Sequence, residues 1–233
     1  MSRAFDLLLW DVDGTLLDFL AAEKIAIRSL FKDFELGVCT DEMLQRYSSI
    51  NADYWKKLER GEMTKAEILV QRFKSFFEEQ EIFNVDCEAF DRAYQKRLGE
   101  TVVFRDNSFE LVSRLKGKIS QYAASNGTVV AQTGKLTNSG LIRLLDGVFL
   151  SEKLGAEKPS ALFFEKVFEV LGPIDPRRTL IVGDSLTSDI LGAKNAGIQS
   201  CWYNPYHLPS NTAIVPDYEI DHLDKVLDIL NLN

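Results

Sequence analysis

The sequence predicts an α/β protein, with a doubly wound parallel sheet and a helical subdomain inserted after the first strand. Short apolar runs alternate with helical patterns over most of the chain, which is typical of parallel strands covered by helices on both faces. From about residue 19 to about residue 100 the pattern is instead helical throughout. Such a stretch is longer than a simple crossover between strands requires. We therefore expect a core formed by residues 1–17 and 101–233 and a helical subdomain formed by residues 18–100.

Five short apolar runs predict the strands of the sheet. The first covers residues 5–11 and ends at the turn signal Asp13-Gly14. The other four runs are similarly short and apolar, and they cover residues 119–125, 148–151, 179–183 and 199–203. Because a membrane-spanning helix needs roughly 20 apolar residues, runs this short do not predict a membrane protein.

Apolar residues at helical spacing predict the helices. In the core they fall at residues 108–115, 161–171 and 188–196, and Pro159 is expected to open the second of these helices. The insert begins with a helical pattern at residues 19–34 and ends with one at residues 86–98. Between them, Thr40 and Thr64 each have the character of a helix N-cap, followed by acidic residues in the first turn. The insert is thus predicted to contain four helices.

Composition excludes several classes of protein. The 233 residues are 45% hydrophobic and 27% charged, as in an average globular protein. With 35 acidic and 27 basic residues the net charge is -8, which argues against broad binding of the nucleic-acid backbone. The first residues lack the apolar stretch of a signal peptide.

Cysteine and histidine are too sparse for several kinds of site. Three widely separated cysteines do not form a disulfide framework, and they indicate reduced thiols in a cytosolic protein. With only two histidines, the sequence gives little support to a zinc site or a histidine-based triad. The chemistry of this chain must therefore rest on carboxylates, hydroxyl groups and lysines.

Polar residues follow the first predicted strand directly. Asp11 and Asp13 are costly to place at the end of a buried strand without a purpose. Gly14 allows a sharp turn, and Thr15 offers a hydroxyl and a backbone N–H. Taken alone, this segment fits an ordinary Asp-Gly turn equally well.

Three further segments change that balance. They are Ser125-Asn126-Gly127 after the second strand, Lys158-Pro159, and Gly183-Asp184 with Asp189 after the fourth strand. Because ligands of an open parallel sheet bind at the carboxyl ends of its strands, we expect all of these segments to converge there. Acids, a hydroxyl, a cation and a glycine-rich turn are the groups that metal-assisted phosphoryl transfer uses.

The order D-x-D-G-T, S/T, K and G-D-x-x-x-x-D resembles the signature of the haloacid dehalogenase-like (HAD) hydrolase superfamily. The resemblance covers essentially the whole chain and implies a Rossmann-like core, with the helical insert as a type C1 cap. Within the superfamily, the chain is similar to the pyrimidine 5'-nucleotidase subgroup. That closer resemblance rests on Asp18-Phe19, Ile50-Asn51 with Trp55, Arg60-Gly61-Glu62-Met63-Thr64, and Cys201-Trp202-Tyr203-Asn204-Pro205.

The resemblance implies a role for each acid. Asp11 is the nucleophile that forms an aspartyl-phosphate, and Asp13 is the general acid and then the general base. The implied cofactor is Mg²⁺, bound by Asp11, by the backbone carbonyl of Asp13 and by Asp184. Asp189 either reaches the metal through water or holds Lys158 in place.

The resemblance also implies the substrate contacts. Ser125 and the backbone N–H groups of Asn126 and Gly127 bind the phosphate, with Thr15 beside them, while Lys158 neutralises developing charge. Contacts to a base or sugar are expected from three residues of the insert, Phe19, Asn51 and Trp55. Aromatic residues at helical spacing fit the interior of the insert as well.

We therefore expect a cytosolic, Mg²⁺-dependent phosphomonoesterase whose partner is a small phosphorylated metabolite. A nucleoside monophosphate is the expected substrate, pyrimidine over purine. The alternatives are a phosphatase for phosphoglycolate or sugar phosphates, a sugar-phosphate mutase, and a non-catalytic binding module. A dehalogenase is disfavoured, because it needs neither a second acid at Asp13 nor a metal ligand at Asp184.

Overall fold

A computed structural model of the chain describes residues 4–210 and 213–232. The predicted outer limits of the core, residues 1 and 233, lie outside the described residues. Within the described part, six parallel strands form one sheet in the order β3-β2-β1-β4-β5-β6. The strands are β1 (Leu7–Trp10), β2 (Ser120–Ser125), β3 (Gly147–Leu150), β4 (Thr179–Gly183), β5 (Gln199–Tyr203) and β6 (Tyr218–Ile220).

Strand β1 lies at the centre of the sheet, between β2 and β4. Its Leu9 is in register with Tyr122 on one side and with Ile181 on the other. The chain order of the strands changes direction at β1, so the helices on its two sides leave a crevice at the carboxyl ends. The residues that follow β1, β2 and β4 are therefore neighbours in space.

The predicted fold class is confirmed, and the five predicted strands are present with bounds within two residues of those expected. Strand β6 was not predicted. It has three residues, and Tyr218 and Glu219 are exposed, so it produces no apolar run in the sequence. Such a short, exposed strand is typical of a sheet edge.

Ten α-helices occur in the described residues. Four of them follow β1 directly, and these are α1 (Phe19–Asp33), α2 (Asp41–Glu59), α3 (Lys65–Glu79) and α4 (Cys87–Glu100). The others are α5 (Ser108–Leu115), α6 (Val129–Asn138), α7 (Ser151–Leu154), α8 (Ala161–Leu171), α9 (Leu191–Ala196) and α10 (Val226–Leu230). Thr40 and Thr64 cap α2 and α3, and Thr64 forms a capping box with Glu67.

Two helix starts differ from expectation. Pro159 does not open α8, because the Ser160 side chain caps that helix by accepting from the backbone N–H of Leu162, and Pro159 precedes the cap. The helix expected at residues 188–196 is preceded by a π-helical turn, Leu186–Ile190, which leads into α9. A π turn widens the backbone, and such turns are frequent at functional sites.

Helices α1–α4 enclose an apolar cluster of their own, which includes the stacked rings of Tyr47 and Phe73. Ala131 of α6 belongs to the same cluster, so this cluster continues onto a helix that follows β2. Helix α4 lies against α6 where Gly99 meets Gly134, and a Cβ atom at Gly134 would come within 2.7 Å of the Gly99 Cα. The two helices therefore touch backbone to backbone.

In the part of the chain that the structure describes, no helix is both long enough and apolar enough to cross a membrane.

Candidate active site

The turn after β1 places its polar groups at the centre of the sheet edge. Asp11 is buried, and its Oδ2 atom lies 3.3 Å from the hydroxyl of Thr15. Gly14 has a φ of +90°, and a Cβ atom there would come within 2.3 Å of Asp184 Oδ2. Only glycine fits this turn, because any other side chain would be strained and would collide with Asp184.

Lys158 is fully buried beside this turn. Its Nζ atom lies 2.8 Å from Asp11 Oδ1, 2.6 Å from Asp189 Oδ1 and 2.7 Å from the carbonyl oxygen of Ala124. Burial alone would lower the pKa of Lys158, but the carboxylates of Asp11 and Asp189 outweigh it and raise the pKa. Lys158 is therefore a charged group held in one position beside Asp11 and Asp189.

The loop after β2 holds the Lys158 segment. The Ser125 hydroxyl oxygen accepts a hydrogen bond from the backbone N–H of Gly127 at 3.0 Å, which leaves its own proton free to donate. The Asn126 side chain donates to the carbonyl of Lys158 at 2.8 Å and accepts from the Lys158 N–H at 2.9 Å. From the sequence, only the Asn126 backbone is expected to contribute. The side chain in addition ties two loops together.

Three carboxylates form a compact acidic cluster. Oxygen atoms of Asp11, Asp184 and Asp189 all lie within 4.8 Å of one another. Burial raises the pKa of Asp11 to about 7, with Lys158 lowering it and Asp189 raising it. Loss of hydration, and then the negative charges of Asp11 and Asp189, raise the pKa of Asp184, although part of its side chain stays exposed.

The acidic cluster fits a divalent cation with hard oxygen ligands, such as Mg²⁺. Three carboxylates set against the single ammonium group of Lys158 leave an excess of negative charge that such an ion offsets. Asp189 is the least available ligand of the three, because Lys158 contacts one of its oxygens and the Ser185 N–H donates to the other at 3.1 Å.

Asp13 is held by two residues that sequence reasoning missed. Gln132 Nε2 lies 2.5 Å from Asp13 Oδ2, and Lys135 Nζ lies 2.5 Å from Asp13 Oδ1. Both donors are in α6, three positions apart and therefore on one face of that helix. The only sequence signal was this polar pair in the helix that follows the predicted phosphate-binding loop.

Two cavities share the Asp13 and Phe19 side chains. The smaller has a volume of about 170 Å³ and contains the predicted phosphate loop, with Trp55 on its wall. The larger has a volume of about 330 Å³ and opens between Asp184 and the end of β5, including Trp202. Phe19 and Trp55, two of the three residues expected to contact a base or sugar, thus lie beside the predicted phosphate site.

Asn51, the third, lies elsewhere. It is buried between α1 and α3, where its amide donates to Glu23 at 2.8 Å and accepts from Arg72 at 2.8 Å. Arg72 also pairs with Asp91 at 2.6 Å. A buried amide needs partners for both its polar atoms, and Asn51 finds them inside the insert. We therefore leave it out of the substrate contacts.

Polar bridges join the insert to the loops of the site. Glu59, at the end of α2, accepts from the Thr187 hydroxyl at 2.7 Å. Lys65, at the start of α3, donates to the Ser151 hydroxyl at 2.5 Å and lies 3.4 Å from Glu157. Burial raises the pKa of Glu59 and lowers that of Lys65. The insert is thus docked over the loops that follow β3 and β4.

Trp202 belongs to the Cys201-to-Pro205 segment, on which the closer family resemblance partly rests. Its indole N–H donates to the backbone carbonyl of Asp184 at 2.9 Å. The indole is almost fully buried, so it fixes the backbone of the loop that carries Asp184.

Comparison with known proteins gives the family of the chain. Residues 5–197 match the family of haloacid dehalogenase-like hydrolases. The chain belongs to this family. Proteins similar to it include the pyrimidine 5'-nucleotidase PynA of Streptococcus pneumoniae, which is 38% identical over 98% of this chain and 96% of its own length. The pyrimidine 5'-nucleotidase YjjG of Escherichia coli is 28% identical, over 97% of this chain and 98% of its own length.

A solved HAD structure matches throughout. The HAD-hydrolase YfnB of Bacillus subtilis is 37% identical over 99% of this chain and 97% of its own length. A crystal structure of YfnB bound to magnesium, which reveals interdomain movement, superimposes with a TM-score of 0.91 over 97% of this chain and 99% of that one.

Proposed function

We propose that this HAD hydrolase is a Mg²⁺-dependent phosphatase of pyrimidine nucleoside 5'-monophosphates that works through an aspartyl-phosphate. The observation that carries the proposal is the contact of Asp11 with Lys158, beside the acidic cluster and the Ser125 hydroxyl. In this proposal, that arrangement supplies a nucleophile, a fixed cation, a metal site and a hydroxyl donor at one sheet edge. The nucleotide part of the proposal is supported by the relatives PynA and YjjG.

Asp11 and Asp184 are the proposed metal ligands, together with the backbone carbonyl of Asp13. Bound there, Mg²⁺ would supply positive charge for the phosphate and for the developing charge on its oxygens. Asp189 is assigned instead to Lys158, since both of its oxygens already have donors. Lys158 then keeps its ammonium group beside the nucleophile throughout the reaction.

The first half of the reaction transfers the phosphoryl group to the protein. A carboxylate oxygen of Asp11 attacks phosphorus, and the bond from phosphorus to the ester oxygen breaks. Asp13 gives its proton to the departing alkoxide, which leaves as the nucleoside. Ser125 and the backbone N–H groups of Asn126 and Gly127 bind the phosphoryl oxygens, with Thr15 held against the nucleophile.

The second half releases inorganic phosphate. Asp13, now a carboxylate, takes a proton from a water molecule, whose oxygen attacks phosphorus. The acyl-phosphate bond to Asp11 breaks, and the Asp11 carboxylate is restored. The same residue thus serves as acid and as base, and the protein ends in its starting state.

The helical insert, residues 18–100, is proposed to act as a cap over a core of residues 1–17 and 101–233. Its polar bridges to Thr187 and Ser151 join it to loops of the site. A docked insert of this kind excludes water from the aspartyl-phosphate until the nucleoside has left. Phe19 and Trp55 are the proposed contacts to the base or sugar. A cytosolic setting belongs to the same proposal, supported by three free cysteines.

The test is phosphate release with Mg²⁺ and with EDTA over UMP, dUMP, dTMP, CMP, AMP, phosphoglycolate and several sugar phosphates. Asp11→Asn serves as the inactive control, because it removes one charge and almost no volume. We expect release that depends on Mg²⁺, is strongest on the pyrimidine monophosphates and is abolished in the control.

Other outcomes separate the parts of the proposal. Preference for phosphoglycolate or a sugar phosphate would keep the chemistry and overturn the nucleotide assignment. Release that persists in Asp11→Asn would overturn the nucleophile. No release from any substrate would favour a mutase or a non-catalytic module.

A further inference from the structure

We propose that Gln132 and Lys135 are positioning residues that fix the Asp13 carboxyl group for its two proton transfers. This inference rests on the proposed function, in which Asp13 is the acid and the base. It adds two residues of α6 to a reaction otherwise carried by the loops after the strands.

The geometry fixes the plane of the carboxyl group as well as its position. Gln132 contacts one oxygen of Asp13 and Lys135 contacts the other, each at 2.5 Å. A single hydrogen bond would leave the group free to rotate about its last bond, whereas separate donors on the two oxygens remove that freedom. An acid and base that must face first a leaving oxygen and then a water gains from such a restraint.

The burial of Lys135 supports the same inference. Its side chain is 1% exposed, and lysine is almost never buried to this extent unless it is paired. The ammonium group lies 5.1 Å from the centre of the Phe19 ring, so it is enclosed between Asp13 and the first residue of α1. The stability of helix α6 does not require a buried lysine, because an exposed lysine is an equally good helix residue. The contact with Asp13 therefore explains why Lys135 is buried.

Helix α6 is itself held firmly. The Thr128 hydroxyl accepts from the Ala131 N–H at 3.2 Å and donates to Gln95 of α4 at 2.8 Å. Farther along, α4 rests directly on Gly134. Because α6 is fixed on both sides of Gln132, the Gln132 and Lys135 side chains are already in position before substrate binds.

The experiment compares Lys135→Met with the wild-type protein on UMP and on p-nitrophenyl phosphate. The leaving group of UMP needs a proton, whereas p-nitrophenolate leaves without one. We expect kcat on UMP to fall about 10- to 100-fold, with KM changed less than about twofold, since the contact with Asp13 is lost and phosphate contacts are kept. With p-nitrophenyl phosphate, we expect a burst of p-nitrophenolate of about one per protein, followed by slow turnover as water attack becomes limiting.

A double-mutant cycle shows whether Lys135 acts through Asp13. In an Asp13→Asn background, adding Lys135→Met should cost less than about a further twofold, because the group it positions is already gone. Lys96→Met, an exposed lysine of α4, is the control and should leave kcat within about twofold of wild type. Thermal unfolding establishes that each variant is folded, and Gln132→Met takes the place of Lys135→Met if that variant is not.

The positioning role would be overturned if Lys135→Met lowered kcat equally on UMP and on p-nitrophenyl phosphate with no burst. It would also be overturned if the loss of kcat were additive with that of Asp13→Asn. If Asp13→Asn keeps full activity, Asp13 is not the acid and base, and the proposed mechanism itself is overturned. That outcome differs from one in which only the positioning role of Gln132 and Lys135 fails.

Discussion

The ammonium nitrogen of Lys158 lies 2.6 Å from a carboxylate oxygen of Asp189, as close as any contact it makes. The other oxygen of Asp189 accepts from the backbone of Ser185. Asp189 is therefore bound on both sides by donors of its own protein, while Asp184 keeps an exposed face toward the larger cavity. The two acids of the G-D-x-x-x-x-D motif therefore differ in their availability as ligands of a cation.

This difference predicts unequal effects on Mg²⁺ binding. We expect Asp184→Asn to abolish Mg²⁺-dependent turnover, because it removes a charged ligand. Asp189→Asn should raise the Mg²⁺ concentration for half-maximal rate by only about tenfold, the low end of the loss expected for a contact outside the ligand set. Titration of Mg²⁺ against the rate, with calorimetry of the metal alone, measures both. Equal loss of affinity in the two variants would make Asp189 a ligand.

The raised pKa of Asp11 predicts a pH-dependent stability without metal. Its pKa is about 7 in the fold against an ordinary 3.8, so the folded protein binds the proton more tightly. The stability that this group contributes is complete below about pH 3.8 and is lost as the pH rises through about 7. In EDTA, we expect the Tm of Asp11→Asn relative to wild type to increase from pH 5 to pH 8.

Mg²⁺ provides the control for that measurement. At pH 8 it should raise the Tm of the wild-type protein, since a ligand that binds the folded state stabilises it, and should raise the Tm of Asp11→Asn much less. Parallel pH profiles of the two proteins in EDTA would contradict the assigned titration.

The clamp between Asn126 and Lys158 predicts a combined loss of stability and rate. Asn126→Ala removes both hydrogen bonds to the Lys158 backbone, at an expected cost of about 1–3 kcal/mol in the free energy of unfolding. We expect kcat to fall about tenfold, because the loop that carries the ammonium group loosens. Urea denaturation and steady-state rates measure the two effects.

Asn195→Ala is the matched control for the Asn126 clamp. Its exposed side chain makes one hydrogen bond, to the carbonyl of Pro159 in the same loop. It should cost less than about 1 kcal/mol and leave kcat unchanged. A similar effect of the two substitutions would refute a special role for the Asn126 clamp.

The proposed substrate contacts predict a loss confined to natural substrates. Trp55→Ala should raise KM for UMP about tenfold, because stacking on one aromatic ring contributes about 1–3 kcal/mol, and should leave p-nitrophenyl phosphate little affected. Phe83→Ala, an exposed ring in the connection between α3 and α4, should change neither. If both substrates lose equally, Trp55 shapes the phosphate site and does not recognise the nucleoside.

The polar bridges to the insert predict that docking can be weakened without touching the reacting groups. Lys65→Met removes the contacts with Ser151 and Glu157, and Thr187→Val removes the contact with Glu59. We expect the double variant to have a larger radius of gyration in X-ray scattering and faster hydrogen exchange in residues 59–65. Scattering and exchange identical to wild type would show that the apolar packing of α4 on α6 is sufficient.

Much of this architecture could be predicted from the sequence, because apolar runs, caps and turn residues are local properties. The bounds of β4 and β5 and the capping box at Thr64 are examples. The motif segments could be placed at one edge for a related reason, since each follows a strand of a parallel sheet.

The contacts that the sequence did not reveal are long-range. Gln132 and Lys135 lie 119 and 122 positions from Asp13, in a helix without a motif of its own. Asn51 shows the opposite case, a polar residue near a motif whose side chain is used by Glu23 and Arg72 inside the insert. Neither arrangement can be inferred from local periodicity, because the packing of one helix on another decides it.

The backbone contact between Gly99 and Gly134 has a consequence for protein engineering. A chimera that exchanges residues 18–100 for the insert of another HAD hydrolase would pack a new α4 against the original α6. A side chain at either glycine position would then push the two helices apart. The part to transplant is therefore the insert together with the face of α6 that α4 covers. Substrate range could then be exchanged between relatives as two matched segments rather than as one.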